Sequence, residues 1–330
     1  AQDFEKLNEI LIEIYNNPSI YLFDEVQNVE KFETFVRRLQ DEVKKMIITG
    51  SNASLLSKEF GTRLTGRHKL FEIFPFSFLE YLRFKHIEIE KDWSYKTMKR
   101  VEIKKAFNEY FLVGGFPEYL KTQDKEYIKN VLDNIIYKDV IARYSIKKQR
   151  VIKELINILT TNISSMFTYN SIKTALDLSN SITVKEYISY LANSYLFFEV
   201  SKFDFSLRKS LAAPKKIYLI DTAFNQISGF NFSSNNGRNL ENVVFIELKR
   251  RKKEIFYFQE KNECDFVIRN GTNITEAIQV CYDFNDKNKQ REINGLLEAL
   301  RKFKLKEGLI LTHGQEEEIK IEKKLIRIVP

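Results

Sequence analysis

With 330 residues, 43% hydrophobic and 30% charged, the chain is long enough for two or three domains and too apolar for disorder. Its net charge of +8 sets 53 basic residues against 45 acids, which permits nucleic-acid binding without requiring it. The two cysteines, Cys264 and Cys281, with three scattered histidines, give neither a disulfide framework nor a zinc cluster, and the absence of any 18-residue apolar run predicts a cytoplasmic protein without a membrane partner.

Apolar residues Phe4, Leu7, Ile10, Leu11 and Ile14 recur at helical spacing over 3–15. Asn17-Pro18-Ser19 stops that helix and starts a strand at 20–27, I-Y-L-F-D-E-V-Q. Four apolar or aromatic residues in a row fit a buried strand of a parallel sheet, covered on both faces. Two carboxylates follow at its end, in the crevice where open α/β sheets bind ligands. Asp24 there suits a hydrated Mg²⁺ with phosphate oxygens, and Glu25 suits polarising a water for attack on a terminal phosphate. The octapeptide fits equally a buried strand ending in two solvated acids.

Helical spacing resumes over 31–43, and a strand at 46–50 ends in small polar residues, of which Ser51 or Asn52 could orient the attacking water. A third strand is predicted at 70–74, stopped by Pro75. This alternation of helix and strand implies a parallel sheet with right-handed crossovers. Arg63 and Arg67 lie between the last two strands; an arginine there can reach a γ-phosphate.

Residues 77–150 read as helices at 78–84, 99–112 and 125–141, interrupted by a tight turn at Gly114-Gly115-Phe116-Pro117. The basic junction I-K-K-Q-R at 146–150 leads to a segment, 151–222, that suggests a winged helix. Its helices fall at 151–163, 170–176 and 181–195, the last capped by Ser181. Two strands, 196–203 and 216–220, flank the basic stretch S-L-R-K-S-L-A-A-P-K-K, which suits a wing. The exposed positions of the third helix, Thr183, Lys185, Glu186, Ser189 and Asn193, carry fewer cations than a DNA-reading helix presents. From 235 onward the pattern is a helix at 238–249, strands at 254–259, 264–268 and 276–282, a helix at 287–303, and strands at 308–312 and 324–329.

Several motifs in this order carry a resemblance over essentially the whole chain. They are S-L-L-S-K-E-F-G-T-R-L-T-G-R-H-K-L-F-E-I-F-P-F-S-F-L-E-Y-L (54–82), G-G-F-P-E-Y-L (114–120), K-I-Y-L-I-D-T (216–222), G-R-N-L-E-N-V-V-F-I-E-L-K-R (237–250) and E-C-D-F-V-I (263–268). The chain resembles the AAA-type ATPases of archaea and bacteria that carry a C-terminal restriction-endonuclease-like domain. The resemblance implies an α/β multidomain protein: part of a P-loop-type parallel sheet (1–83), a helical lid (84–150), a winged helix (151–222) and a nuclease-like α/β domain (235–330). It makes Asp24 and Glu25 Walker B acids, Asp24 holding Mg²⁺ through ATP, with Ser51, Asn52 and Arg67 as nucleotide-sensing residues. ATP and Mg²⁺ are the expected cofactors, and DNA and a second copy of the chain are candidate partners.

Two departures stand out. The family's glycine-rich G-x-x-x-x-G-K-[ST] loop has no counterpart: no Gly precedes Gly50, and the lysine before Asp24 is Lys6. This predicts that the 330 residues alone do not hydrolyse ATP. In the nuclease-like part, Glu241 and Asp265 match the first two acids, but Gln279 and Cys281 replace the glutamate and lysine of E-x-K. Glu276 falls on the opposite strand face, and Lys289 or Arg291 is a candidate migrated cation. A degenerate, non-cleaving domain is expected. The alternatives are a metal-dependent DNA nuclease regulated by its ATPase part, or a non-catalytic DNA-binding or assembly protein.

Overall fold

An apolar stripe of Phe4, Leu7 and Leu11 fixes the inner face of the first helix, α1 (Phe4–Tyr15). The computed structural model describes residues 4–26, 29, 31–42, 44–51, 69–227 and 235–330. After α1 come β1 (Ile20–Phe23), α2 (Phe32–Asp41) and β2 (Lys45–Ile48). The two strands pair in parallel, Ile20 opposite Lys45 and Phe23 opposite Ile48. The face of α2 carrying Phe32, Phe35, Val36 and Leu39 packs on Tyr21, since residues three and four apart share one helix side.

β1 is not covered on both faces among the described residues, because Leu22 is 73% and Ile20 55% exposed. No strand forms at 70–74; the described sheet holds β1 and β2, and Phe71 and Ile73 stay exposed. Pro75 has no N–H to continue a ladder, and the next N–H, of Phe76, donates to the Gly115 carbonyl (2.8 Å) instead.

The helical part consists of α3 (Phe78–Phe84), α4 (Thr97–Val113), α5 (Pro117–Thr122) and α6 (Lys125–Asn134), the last continuing into a π-helical segment, Ile135–Ala142. Ser77 starts α3 through a reciprocal capping box with Glu80. Between α4 and α5, Gly114 adopts φ 75°, and a Cβ there would lie 1.7 Å from Asp221 Oδ1. A Cβ on Gly115 would lie 2.3 Å from the Phe76 carbonyl oxygen. Only glycine lets this turn press against both segments.

There follow α7 (Gln149–Thr161), β3 (Met166–Phe167), α8 (Tyr169–Ala175), α9 (Ser181–Asn193), β4 (Phe197–Ser201), α10 (Leu207–Ala212) and β5 (Lys215–Leu219). The strands form an antiparallel sheet in the order β3-β5-β4. Asn180, not Ser181, caps α9, its side chain accepting from the Ile182 N–H. The basic stretch expected as a wing folds in part as α10.

The remainder is α11 (Ala223–Ile227), α12 (Asn236–Arg250), β6 (Glu254–Gln259), β7 (Glu263–Asn270), β8 (Asn273–Val280), α13 (Lys289–Lys302), β9 (Glu307–Leu311), β10 (Glu317–Ile321) and β11 (Lys324–Val329). These strands make a mixed sheet ordered β10-β11-β9-β8-β7-β6. β10 was not expected; its charged sequence E-E-I-K-I suits a sheet edge. One face packs on α13 through Leu296 and Leu300 against Ile310, Ile326 and Ile328. The other faces α12, where Phe245 stacks on Tyr218 at 4.2 Å and lies 6.5 Å from Phe266. The three-stranded and six-stranded sheets therefore share one core across α12.

That sharing depends on a polar bridge. The buried Asn242 of α12 accepts from the Leu219 N–H (2.7 Å) and donates to the Leu219 carbonyl (2.9 Å). Its amide thus pairs with both backbone polar groups of Leu219, and a buried group left unpaired costs about 1–3 kcal/mol.

Candidate functional site

The carboxyl ends of the parallel strands bring the first set of candidate residues together. Asp24 follows β1 and Thr49 follows β2, and the Thr49 N–H donates to the Phe23 carbonyl (2.9 Å). The Thr49 hydroxyl donates to Asp24 Oδ1 and accepts from the Glu25 N–H (3.2 Å). Glu25 sits at φ 53°, a left-handed conformation that non-glycine residues adopt at a cost and that turns the chain sharply after Asp24. Both acids are exposed, so a metal-bound phosphate can approach them. Ser51, two residues beyond Thr49, donates to Asp139 in the π-helical segment (3.0 Å), and Asp139 pairs with Arg143 at 3.1 Å. The strand end is thereby tied to the helical part. Asn52, Arg63 and Arg67 lie outside the described residues.

The second set converges deep in the molecule. Glu241 on α12 and Asp265 on β7 are both buried, and the Asp265 N–H donates to Gln279 Oε1 of β8 (3.2 Å). Asp265 Oδ2 accepts from the Val280 N–H (2.9 Å). Gln279 in turn donates to Glu292 on α13 (2.7 Å). A close helix approach makes this possible: a Cβ at Gly295 of α13 would lie 1.9 Å from the Glu263 carbonyl oxygen.

Neither migrated cation proposed from sequence reaches the acids. Lys289 pairs with Glu317 (3.3 Å) and Arg291 with Glu292 (2.5 Å). The Cys281 thiol is buried, and burial foremost pushes it up to about 12, so it stays neutral. Glu276 pairs with Lys253 at 2.5 Å.

The cation comes instead from β5. Lys216 Nζ lies 2.5 Å from Glu263, 2.8 Å from Glu241 and 3.0 Å from Asp265, with its side chain 2% exposed. Tyr218, two residues on and therefore on the same strand face, donates to Glu241 (2.6 Å). Burial opposes the ammonium charge, but the surrounding carboxylates outweigh it and hold Lys216 protonated well above its ordinary range. Three carboxylates face one ammonium. Burial, with the Asp265 charge next, accordingly pushes Glu241 up to about 8. Sequence reasoning singles out neither Lys216 nor Glu263. The available signal was Lys216 within K-K-I-Y-L, a strand buried at every position, because a lysine is rarely so buried unless paired.

These carboxylates do not fit a divalent metal as they stand, since an ammonium already holds an oxygen of each. Among the described residues no group of three His, Cys, Asp or Glu side chains is arranged to hold a metal ion. The exposed positions of α9 carry Lys185 beside Glu186, and Asn193 donates to the Tyr144 hydroxyl (3.2 Å). Among the described residues no helix is long and apolar enough to cross a membrane.

A third buried acid, Asp221, follows β5 and accepts from the N–H groups of Gly115 and Ala223, each at 2.8 Å. Burial raises its carboxyl to about 6 despite these bonds. The unfolded chain would ionise near 3.8, so folding favours the protonated form. Its contribution is full below about pH 4 and is lost as pH rises through about 6, for roughly 3 kcal/mol in all. Urea unfolding at a series of pH values should show this slope, and Asp221→Asn should flatten it; an unchanged slope in the variant would assign it elsewhere.

Parallel strands ending in adjacent acids beside a threonine form the kind of strand-end site that nucleotide-binding α/β proteins use. Residues 1–82 match the AAA domain family, which supports an AAA-type ATPase class for this part. Residues 104–231 match a domain of unknown function (DUF8612). The uncharacterized protein MJ1544 of Methanocaldococcus jannaschii is 39% identical over 348 residues, covering 99% of this chain and 77% of that protein, and the chain belongs to its family. An uncharacterized protein of Haemophilus influenzae is 28% identical over 98% of this chain and 79% of its own length. A second M. jannaschii protein, uncharacterized MJ1637, is 24% identical over 96% of this chain and 70% of its own length. No solved structure matches the chain significantly.

Proposed function

We propose that the protein is an ATP-dependent AAA-type switch in which residues 1–83 carry the Walker B and sensor side of the nucleotide site. The observation that carries this reading is the strand-end arrangement of Asp24, Glu25 and Thr49 on parallel β1 and β2. Asp24 would hold Mg²⁺ and Glu25 would orient the attacking water. When bound, Mg²⁺ neutralises charge on the transferring phosphoryl group. Ser51, through Asp139 and Arg143, gives the sensor strand a direct hold on the helical lid, 84–150. Beyond it, 151–222 is assigned as a winged helix that packs parts together, and 235–330 as a restriction-endonuclease-like domain that does not cleave. The sealed acids support that last assignment, since Glu241 and Asp265 are 8% and 6% exposed and a scissile phosphate has no access to them.

The test is nucleotide binding. The phosphate cradle that this reading requires is a G-x-x-x-x-G-K-[ST] segment, which the 330 residues do not contain. Expressed together with such a segment ahead of β1, the protein should bind a fluorescent ATP analogue in a Mg²⁺-dependent way. Asp24→Asn should weaken the Mg²⁺-dependent part. Binding that ignores both Mg²⁺ and this substitution would remove Asp24 from the site.

A further inference from the structure

We propose that Phe205 and α10 form a docking surface for an anionic bilayer, on which the protein rests without spanning it. These residues are not those of the nucleotide site, and no nucleotide enters the experiment.

Phe205, Leu207 and Leu211 are 75%, 72% and 63% exposed, and within 205–212 only Ser210 is buried. Leu207 and Leu211, four apart, share one side of α10. Large apolar side chains gathered in water on a folded protein mark an interaction surface. The backbone beneath them is fixed. The Ser206 N–H donates to Asp204 Oδ1 (2.8 Å), the Ser210 hydroxyl to the Lys202 carbonyl (2.7 Å), and the buried Lys215 ammonium to the Ser210 carbonyl (2.8 Å). Phe205 meets Phe203 edge-on at 5.3 Å, and the Phe203 N–H donates to the Tyr257 carbonyl of β6 (2.7 Å). A mount already ordered in this way loses little freedom on docking.

The charge around the anchors selects the occupant. Arg208 and Lys209 stand between the two leucines in sequence, exposed and paired with no carboxylate among the described residues. Apolar anchors flanked by free cations match the two layers of an anionic bilayer surface, hydrocarbon beneath phosphate headgroups. A stable protein interface needs about 1,000 Å² of matched surface, more than a six-residue helix and one ring present; lipid needs no matching shape. Duplex DNA would use the cations but leave the three apolar side chains in water. The net charge of +8 draws the chain toward the same anionic surface from a distance. Among the described residues no helix can cross a membrane, and resting on the surface requires none.

The full chain is mixed with vesicles of phosphatidylcholine, alone or with phosphatidylglycerol added, and flotation reads the bound fraction. Binding should require phosphatidylglycerol and fall as salt rises. Leu207→Ser with Leu211→Ser should weaken it about tenfold or more, and Arg208→Glu with Lys209→Glu about as much. Lys147→Glu with Lys148→Glu makes the same change of net charge at exposed positions elsewhere and should leave most of the binding intact. All the substituted residues are exposed, so the variants should keep the fold, which circular dichroism checks. No vesicle binding by wild type would overturn the proposal. So would an unchanged bound fraction in the leucine variant, or an equal loss in the Lys147 and Lys148 variant. Duplex DNA binding or self-association that the tip substitutions remove, without vesicle binding, would assign the surface to that occupant instead and overturn it too.

Discussion

Lys216→Met is expected to destabilise the protein by roughly 3–5 kcal/mol, the range for removing one partner of a buried ion pair. The methionine nearly fills the same space, so the loss is electrostatic rather than a cavity effect. Glu241 and Asp265 would be left buried, each lacking the donor that now lies at 2.8 or 3.0 Å. Thermal unfolding in the absence of divalent ions should show a drop on the order of ten degrees. Adding Glu241→Gln and Asp265→Asn to Lys216→Met should recover much of it, because the carboxylate still left without its cation is Glu263, whose side chain is 35% exposed and hydrated. The non-additivity is itself the readout, as residues in one ion-pair network couple. A loss from Lys216→Met below about 1 kcal/mol, or equal losses in single and triple variants, would show that the cluster does not bind the sheets together.

Glu25→Gln is expected to lower ATP turnover by about 10²–10⁴-fold, the usual contribution of a positioned general base, in protein expressed with a phosphate-loop segment ahead of β1. The amide keeps the volume and still accepts a hydrogen bond from water, but it cannot take a proton. Nucleotide binding should survive, because Asp24 and its Thr49 partner are untouched. Single-turnover measurement separates the two steps. Turnover near the wild-type rate in Glu25→Gln would remove this residue from the reaction. Loss of binding along with turnover would place Glu25 in holding the nucleotide rather than in chemistry.

Much of the secondary structure was legible because it rests on local signals. Strands Glu254–Gln259 and Lys324–Val329 and helix Phe78–Phe84 fall where the apolar periodicity places them. Asp265 and Gln279 also meet, because strand alternation and a hairpin register set them on one face. The failures have nonlocal causes. Residues 70–74 have strand composition, yet the backbone after Pro75 finds its partner far along the chain, Phe76 N–H donating to the Gly115 carbonyl. The stretch read as a wing became α10 in part, and the edge strand β10 was hidden by its charge.

The sequence by itself determined most of the helices and strands, 70–74, α10 and β10 excepted, that acids end β1, and that Gln279 and Cys281 stand where the resemblance expects a glutamate and a lysine. Side-chain period and residue chemistry carry these facts without any knowledge of packing. Only the tertiary structure decided which cation the buried acids would have. Lys216 is separated from Glu241 by 25 residues and from Asp265 by 49, and no local rule selects it over Lys289 or Arg291. The choice follows from β5 packing against both α12 and the six-stranded sheet, Tyr218 lying 4.2 Å from Phe245 and 5.7 Å from Phe266. That arrangement seals β5 from water, and a sealed lysine must find its counter-charges there, because an isolated ammonium is too costly to bury.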